Sequence, residues 1–407
     1  MTDRYDVVVV GGGPAGSMTA FHLASAGMRV VLLEEKRMPR GKVCGEFITP
    51  EALPFLERAG LIDTVIRAGA KSLTRLVLCP MNGRRVEAPI SSISNTGGSA
   101  LSLSRKRLDA ILFEKAQAGG ATCIQRVSVR GAIRRGSFAT GVEALSLSTG
   151  KPLAFHGDVV VDASGRSSRL APKKRSRPPG RERLYAMKAH FSGVNNIDRI
   201  VGLLFFPNGY GGISQIEGDL ANVCFIAPES IIRKHRGDGA SVLADTMMMN
   251  PAGREWLTGS RVEEGWLTVG PLSFGPGRLA NQGVLAVGDA AGMNDPFTGT
   301  GIMIAIRGAE LAATAIVTSL GAAGSGEAAI DPVQAALLSY KEQYSAQFGS
   351  LMTAAAGLRR AAFSPRIANI VAGAFTRIPD LMQLLLQRTR TTSAHFGTFG
   401  SDRRVLE

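Results

Sequence analysis

Apolar runs and glycine breaks divide this chain into strands and helices. Residues 7–10 are four consecutive valines, a run that predicts a fully buried parallel strand. Residues 14–26 predict a helix stopped by Gly27, and residues 29–33 a second strand that ends at Glu34. Thr49-Pro50-Glu51 reads as a helix start, with Thr49 as N-cap and Pro50 in the first helical position. Residues 61–98 mix short strands and turns. Ser104 opens a helix whose apolar positions are Leu108, Ile111, Leu112 and Ala116, and Gly119-Gly120 stops it. Residues 121–129 predict a third parallel strand and its continuation, and 131–155 a meander. Residues 158–162 predict a buried strand that returns to the first sheet.

The period then changes. Residues 184–191, 201–206, 212–216, 221–226 and 266–269 are short β-like stretches between glycine turns, with one helix at 240–249. They predict a second, mostly antiparallel sheet, which can leave one face free to cover a ligand. Residues 284–287 rejoin the first sheet. A long apolar helix over 301–320 follows, and then helical sequence from 331 to 390, broken near Pro365 and Pro379. No run of about 18 apolar residues able to span a bilayer is expected.

The first turn carries chemistry. Gly11, Gly13 and Gly16 form GxGxxG between a strand and a helix. Gly11 suits the tight turn, Gly13 lets backbone approach a pyrophosphate, and Gly16 lets the helix pack close to the sheet. Glu34, at the end of the next strand, can accept hydrogen bonds from both ribose hydroxyls of a dinucleotide. Asp289 follows a second strand end and can accept from a ribityl hydroxyl. Gly299-Thr300-Gly301, at a helix start, presents amides and a positive helix end, which suits the anionic edge of a reduced flavin. The predicted fold is α/β: a Rossmann-type FAD-binding domain with a parallel sheet, an antiparallel substrate domain and C-terminal helices. The FAD domain is discontinuous, from 1–75, 99–170 and 280–325. The substrate domain takes 76–98 and 171–279, and the helical region 326–407.

Composition narrows the partners. The chain has 407 residues, 47 Lys+Arg against 33 Asp+Glu, a net charge of +14 and a pI near 10.1. Only 6% of residues are aromatic, too few to stack bases, so nucleic acid is disfavoured against an anionic membrane surface, an acidic carrier or an anionic substrate. Cys44, Cys79, Cys123 and Cys224 form no CxxC pair, which argues against a metal site or a disulfide framework and fits a reducing cytoplasm. Residues 166–183, with Lys173-Lys174-Arg175, read as a basic solvated linker.

The three motifs together resemble the FAD-dependent oxidoreductases of the p-hydroxybenzoate hydroxylase superfamily, nearest the geranylgeranyl reductase family. The resemblance covers residues 5–308. It implies FAD, with its pyrophosphate over Gly13 to Gly16 and its ribityl chain on Asp289. It also implies cofactor contacts at Pro14, Ala15, Gly45, Val129, Pro296 and Ile302, and at Arg105, four residues before Asp109. Lys42-Val43-Cys44-Gly45 matches the family's Lys-x-Cys-Gly loop, so Cys44 is either a flavin-proximal catalytic residue or a small residue of a tight loop. Tyr210 is the retained position of the family's substrate-sheet motif, whose Trp and Phe-Pro are absent.

The family's hydroxylase branch has Asp-Gly where this chain has Ser164-Gly165, which bears on the nicotinamide route. No second strand-GxGxxG-helix unit is present, so NAD(P)H would be a transient reductant in the open cleft. The first reading is oxygen transfer by a monooxygenase to a lipophilic or aromatic, polyketide-like substrate; the alternative is reduction of a polyprenyl double bond. Halogenation and non-enzymatic electron carriage are more distant. His190 reads as a structural histidine of the substrate sheet. Ile367, Ile370, Val371, Ala374, Phe375 and Ile378 share a helix face among Arg366, Arg377, Arg388 and Arg390. That face reads as core cover, as peripheral membrane contact, or as a lid over a lipophilic tunnel.

Overall fold

The computed structural model describes residues 4–170, 182–322 and 331–362, together with Gln387 and Arg390. In chain order its principal elements begin with β1 (Arg4–Val10), α1 (Pro14–Ser25), β2 (Val30–Glu34), β3 (Arg75–Cys79), β4 (Val86–Pro89) and α2 (Arg105–Ala118). Next come β5 (Thr122–Gln125), β6 (Val127–Arg135), β7 (Phe138–Ser146), β8 (Pro152–Asp162), β9 (Leu184–Ser192), β10 (Ile200–Phe206), β11 (Gly209–Gln215) and β12 (Ala221–Pro228). The remainder are α3 (Glu229–Lys234), α4 (Gly239–Ala244), α5 (Pro251–Leu257), β13 (Val284–Ala286), α6 (Gly301–Ala322) and α7 (Pro332–Ala362).

The first sheet has the parallel order β13-β8-β1-β2-β5. Its valine run is sorted by the two-residue period of a strand. Val7 and Val9 pack with Val30, Leu32, Val159 and Val161 against α1, α2 and α6. Val8 and Val10 pack with Val31, Leu33 and Val160 against the β6–β7 hairpin, through Val127, Val142 and Ala144. Both faces are covered, which is why the run needs no polar alternation. Between β5 and β6 the backbone turns at Arg126, with φ of +64°, and the chain leaves the parallel set.

The second sheet runs β9-β12-β11-β10-β3-β4 and is antiparallel except where β3 lies parallel to β10. Its outer face packs on α4 and α5. Trp256, 1% exposed, lies over Gly202, where a Cβ would be 2.4 Å from the ring. The helix expected at 240–249 is shorter, α4 followed by a 3-10 turn at Met247–Met249, and α3 and α5 flank it. Asn250 is the reason for one break: its side chain caps α5 through the Ala252 N–H at 3.0 Å and donates to the carbonyls of Cys79 and Phe205. Within 61–98, Ile62–Arg67 and Ile90–Ile93 are also helical rather than extended.

Helix α6 corrects the expectation about long apolar runs. Residues Gly301–Gly321 are long and apolar enough to cross a bilayer, yet 78% of that window is buried inside the fold. α1 packs on one side and α7 on another, where Tyr340, Tyr344 and Phe348 stack in sequence. The two charges of α6, Arg307 and Glu310, pair at 2.5 Å, and Arg58 joins them at 3.0 Å. The basic run at 173–175 and the apolar face at 367–378 lie outside the described residues. Truncating Trp256 to Ala leaves a cavity between α5 and Gly202, so unfolding free energy in urea is expected to fall by about 3–5 kcal/mol. A loss below about 1 kcal/mol would contradict this packing.

Candidate active site

The carboxyl ends of β1, β8 and β13 lie side by side, because β1 pairs with β8 and β8 with β13. Each hands the chain to a tight turn. Gly11 sits at φ +105°, and a Cβ there would lie 2.4 Å from the Ala163 carbonyl oxygen. At Gly16 the Gly11 carbonyl oxygen would be 1.8 Å away. Gly13 differs: a Cβ there meets nothing closer than 3.8 Å, so its backbone faces open space. α1 starts at Pro14 with no side chain bonded to its first amides, which leaves those donors for an anion. Pro14 and Ala15 line the cavity in front of them.

Glu34 is buried at the end of β2. Its carboxylate accepts the Gly12 N–H at 2.7 Å and the Lys36 N–H at 2.9 Å, and Arg40 lies 3.4 Å away. Arg40 Nη2 also donates to this carboxylate at 3.5 Å, so about one of a carboxylate's roughly four acceptor sites remains for a hydroxyl, and Glu34 does not itself line the cavity. Arg40 also bridges to Asp109 at 2.9 Å, and Arg105 clasps Asp109 at 2.6 and 2.8 Å. Burial opposes the charge of Arg105, but Asp109 and Cys44 outweigh it and raise its pKa. Arg105 lines the cavity. Val129 does not; it lies half-buried on β6 against the core behind the first sheet.

On the third strand end, Gly288 has φ +59° and Asp289 follows in a single helical turn. Asp289 lines the cavity, and its carboxylate makes no hydrogen bond or ion pair among the described residues. Pro296, Gly299, Gly301 and Ile302 line the same space. Gly299 is left-handed at φ +67°, and a Cβ on Gly301 would meet nothing within 4 Å. Asp295 accepts the Phe297 N–H at 3.0 Å and the Tyr210 hydroxyl at 2.7 Å, so Tyr210 ties β11 to the loop before α6. The Tyr210 ring stands edge-on to Phe297, with centroids 5.3 Å apart.

The cavity, about 280 Å³, lies between these turns and the inner face of the second sheet. Residues 42–47 form its rim, with Cys44 half-buried and Gly45 exposed. Lys42 is held below the ordinary lysine range by burial and then by Arg105. Across the cavity the sheet face is graded. On β3 and β10 it offers Leu76, Leu78, Val201, Leu203 and Phe205. On β12 it offers Cys224; Asn222, Lys188 and His190 share that face of β12 and β9 but do not line the cavity, since they lie against the 42–47 loop. Asn222 donates to the Cys44 carbonyl at 3.1 Å, and burial, then Cys44, pushes the Cys224 thiol up to about 12. Glu46, Lys188 and Cys224 were not singled out from sequence, and His190 was read as structural. Two ionisable residues two apart in an otherwise apolar strand were the available signal.

A sequence model of FAD binding domains matches residues 4–198. Conditioned medium factor receptor 1 of Dictyostelium discoideum is 27% identical over 338 residues, 77% of this chain and 63% of that protein, so the chain spans less than two thirds of it. The digeranylgeranylglycerophospholipid reductase of Methanosarcina mazei is 26% identical over 329 residues, 79% of this chain and 77% of that protein. The structure of the flavin-dependent brominase Bmp2 superposes with a TM-score of 0.77 at 21% identity, covering 95% of this chain and 94% of that one; the likeness is one of fold. The residues present fit FAD: amides at α1 with no side-chain cap and an Asp289 carboxylate with no bonded partner among the described residues, and open space before Gly13 and Gly301. Residues 4–198 therefore carry an FAD-binding domain, and over most of its length the chain is similar to flavin-dependent oxidoreductases. Asp289→Ala removes a charge-assisted hydrogen bond worth roughly 1.5–3 kcal/mol, so FAD affinity by titration is expected to fall about tenfold to a hundredfold. Unchanged affinity in the folded variant would make Asp289 a turn residue only.

Proposed function

We propose that this flavoenzyme reduces a double bond in a lipophilic, isoprenoid-like small molecule, with NAD(P)H as transient reductant. The graded face of the second sheet carries the proposal. Its apolar end offers a hydrocarbon tail a dry wall of Leu76, Leu78, Leu203 and Phe205. Its polar end sets ionisable groups beside the loop that carries Cys44. The name of the Methanosarcina relative, a reductase of a geranylgeranyl-bearing lipid, supports the substrate class.

When bound, FAD supplies hydride chemistry at the cavity wall. The chain's own residues orient and shield. The α1 amides would seat the pyrophosphate, Glu34 would take a ribose hydroxyl and Asp289 the ribityl chain, and the start of α6 would meet the anionic ring edge. Phe297, Phe205 and Tyr210 exclude water. Arg390 lines the cavity and donates to the Thr298 carbonyl at 3.0 Å, which supports tail entry beside this residue of the C-terminal sequence. Attraction of its arginines to an anionic lipid surface would add about 1 kcal/mol each.

A second reading, oxygen transfer to an aromatic or polyketide-like substrate, is favoured by the Tyr210–Phe297 edge-on pair in the cavity wall. Product mass separates the two. Holoenzyme, NADPH and a long-tailed isoprenoid olefin, incubated without oxygen, are expected to give a product with two added hydrogens. Turnover that requires oxygen and adds an oxygen atom would overturn the reductase reading.

A further inference from the structure

β9 carries Lys188 and His190 in an otherwise apolar strand, and a spacing of two puts both on the inner face. They are only 2% and 5% exposed. Glu46, 0% exposed, lies between them and the cavity, on a backbone turned to φ +55°. Its Oε2 is 2.8 Å from His190 Nε2, and its Oε1 receives Lys188 Nζ and the Arg105 N–H at 2.7 Å. Glu46 lines the cavity. The other ring nitrogen faces the opposite way: His190 Nδ1 is 3.7 Å from Glu264, which is half exposed and pairs with the exposed Lys106 at 2.9 Å. The imidazole therefore has one nitrogen toward solvent and one toward the cavity.

A buried ion cluster is an expensive way to fix a loop, and the loop has another tether in the bond from Asn222 to the Cys44 carbonyl. We propose that Glu264, His190 and Glu46 form a proton conduit between solvent and the flavin-facing wall, with Lys188 holding Glu46 in place. A proton accepted at His190 Nδ1 is matched by one given from Nε2 to Glu46 Oε2, and the ring ends as its other tautomer. The facing groups are Lys42, Cys44, Arg105 and Cys224 on the cavity side, Lys188 beside Glu46, and Lys106 and Glu263 at the surface. Resting on the reductase reading, the conduit completes the reaction. Two electrons and one hydrogen from NAD(P)H reach one olefin carbon as hydride, and the π pair takes the conduit's proton at the other.

The test needs no olefin. Ferricyanide takes only electrons, so oxidation of the reduced holoenzyme releases one proton per flavin. In weakly buffered solution with an indicator dye, wild-type release is expected to keep step with flavin oxidation. In His190→Ala, with FAD affinity retained, release should lag by about tenfold or more, and added imidazole should restore it. Release in step with oxidation in that variant overturns the conduit, whether or not any double bond is reduced. Glu264→Gln sits at the exposed end and serves if His190→Ala does not fold. Its release should lag about two- to threefold, and unchanged release there overturns the conduit equally.

Discussion

Three neighbouring parallel strands end at one place, and their turns must pass within a methyl group of each other. β1, β8 and β13 are hydrogen-bonded neighbours, so Gly11, Ala163 and Gly288 meet at the carboxyl edge of one sheet. A Cβ at Gly11 or Gly16 would strike backbone oxygen, and one at Gly288 would lie 2.9 Å from the Ala15 methyl. This crowding fixes where α1 and α6 begin. It thereby aims two helix starts and the Asp289 carboxylate at a shared space. Ligands of open α/β sheets collect at such an edge for the same reason.

The second constraint is how the other sheet closes over that edge. Tyr210 reaches across to Asp295, and Asn222, Lys188 and His190 reach across to the 42–47 loop. These bonds set the sheet's inner face as the far wall of the cavity. Hydrocarbon from β3, β10 and Ile226 of β12 lines the cavity, while Asn222, Lys188 and His190 hold the 42–47 loop. Which side chains reach the cavity and which reach the 42–47 loop follows from the residues that the two-residue period turns inward.

Much of the first sheet was legible in the residues. The valine run, the glycine turn and the acid at Glu34 are local signals, and the observed β1, α1 and β2 follow them closely. The strands of the second sheet were also legible, because their apolar stretches are bounded by glycine turns. The short helix α5 was not, since its burial depends on the outer sheet face rather than on its own periodicity, and α3 is a six-residue helix with no buried residue to mark it. The apolar character of α6 was underestimated because its two charges pair inside the fold. Glu46 was illegible for another reason: its partner Lys188 stands 142 residues away, and no local pattern records that meeting.

The central claim is that the flavin ring lies between the start of α6 and the 42–47 loop, with the graded sheet face opposite. A crystal structure of the FAD complex tests it most directly. The expected result is density for the ribityl chain within hydrogen-bonding distance of Asp289, the ring edge over Gly299 to Gly301, and the ring face toward Cys44 and β11. A ring swung away from the 42–47 loop, with Asp289 making no contact to the cofactor, would contradict the account.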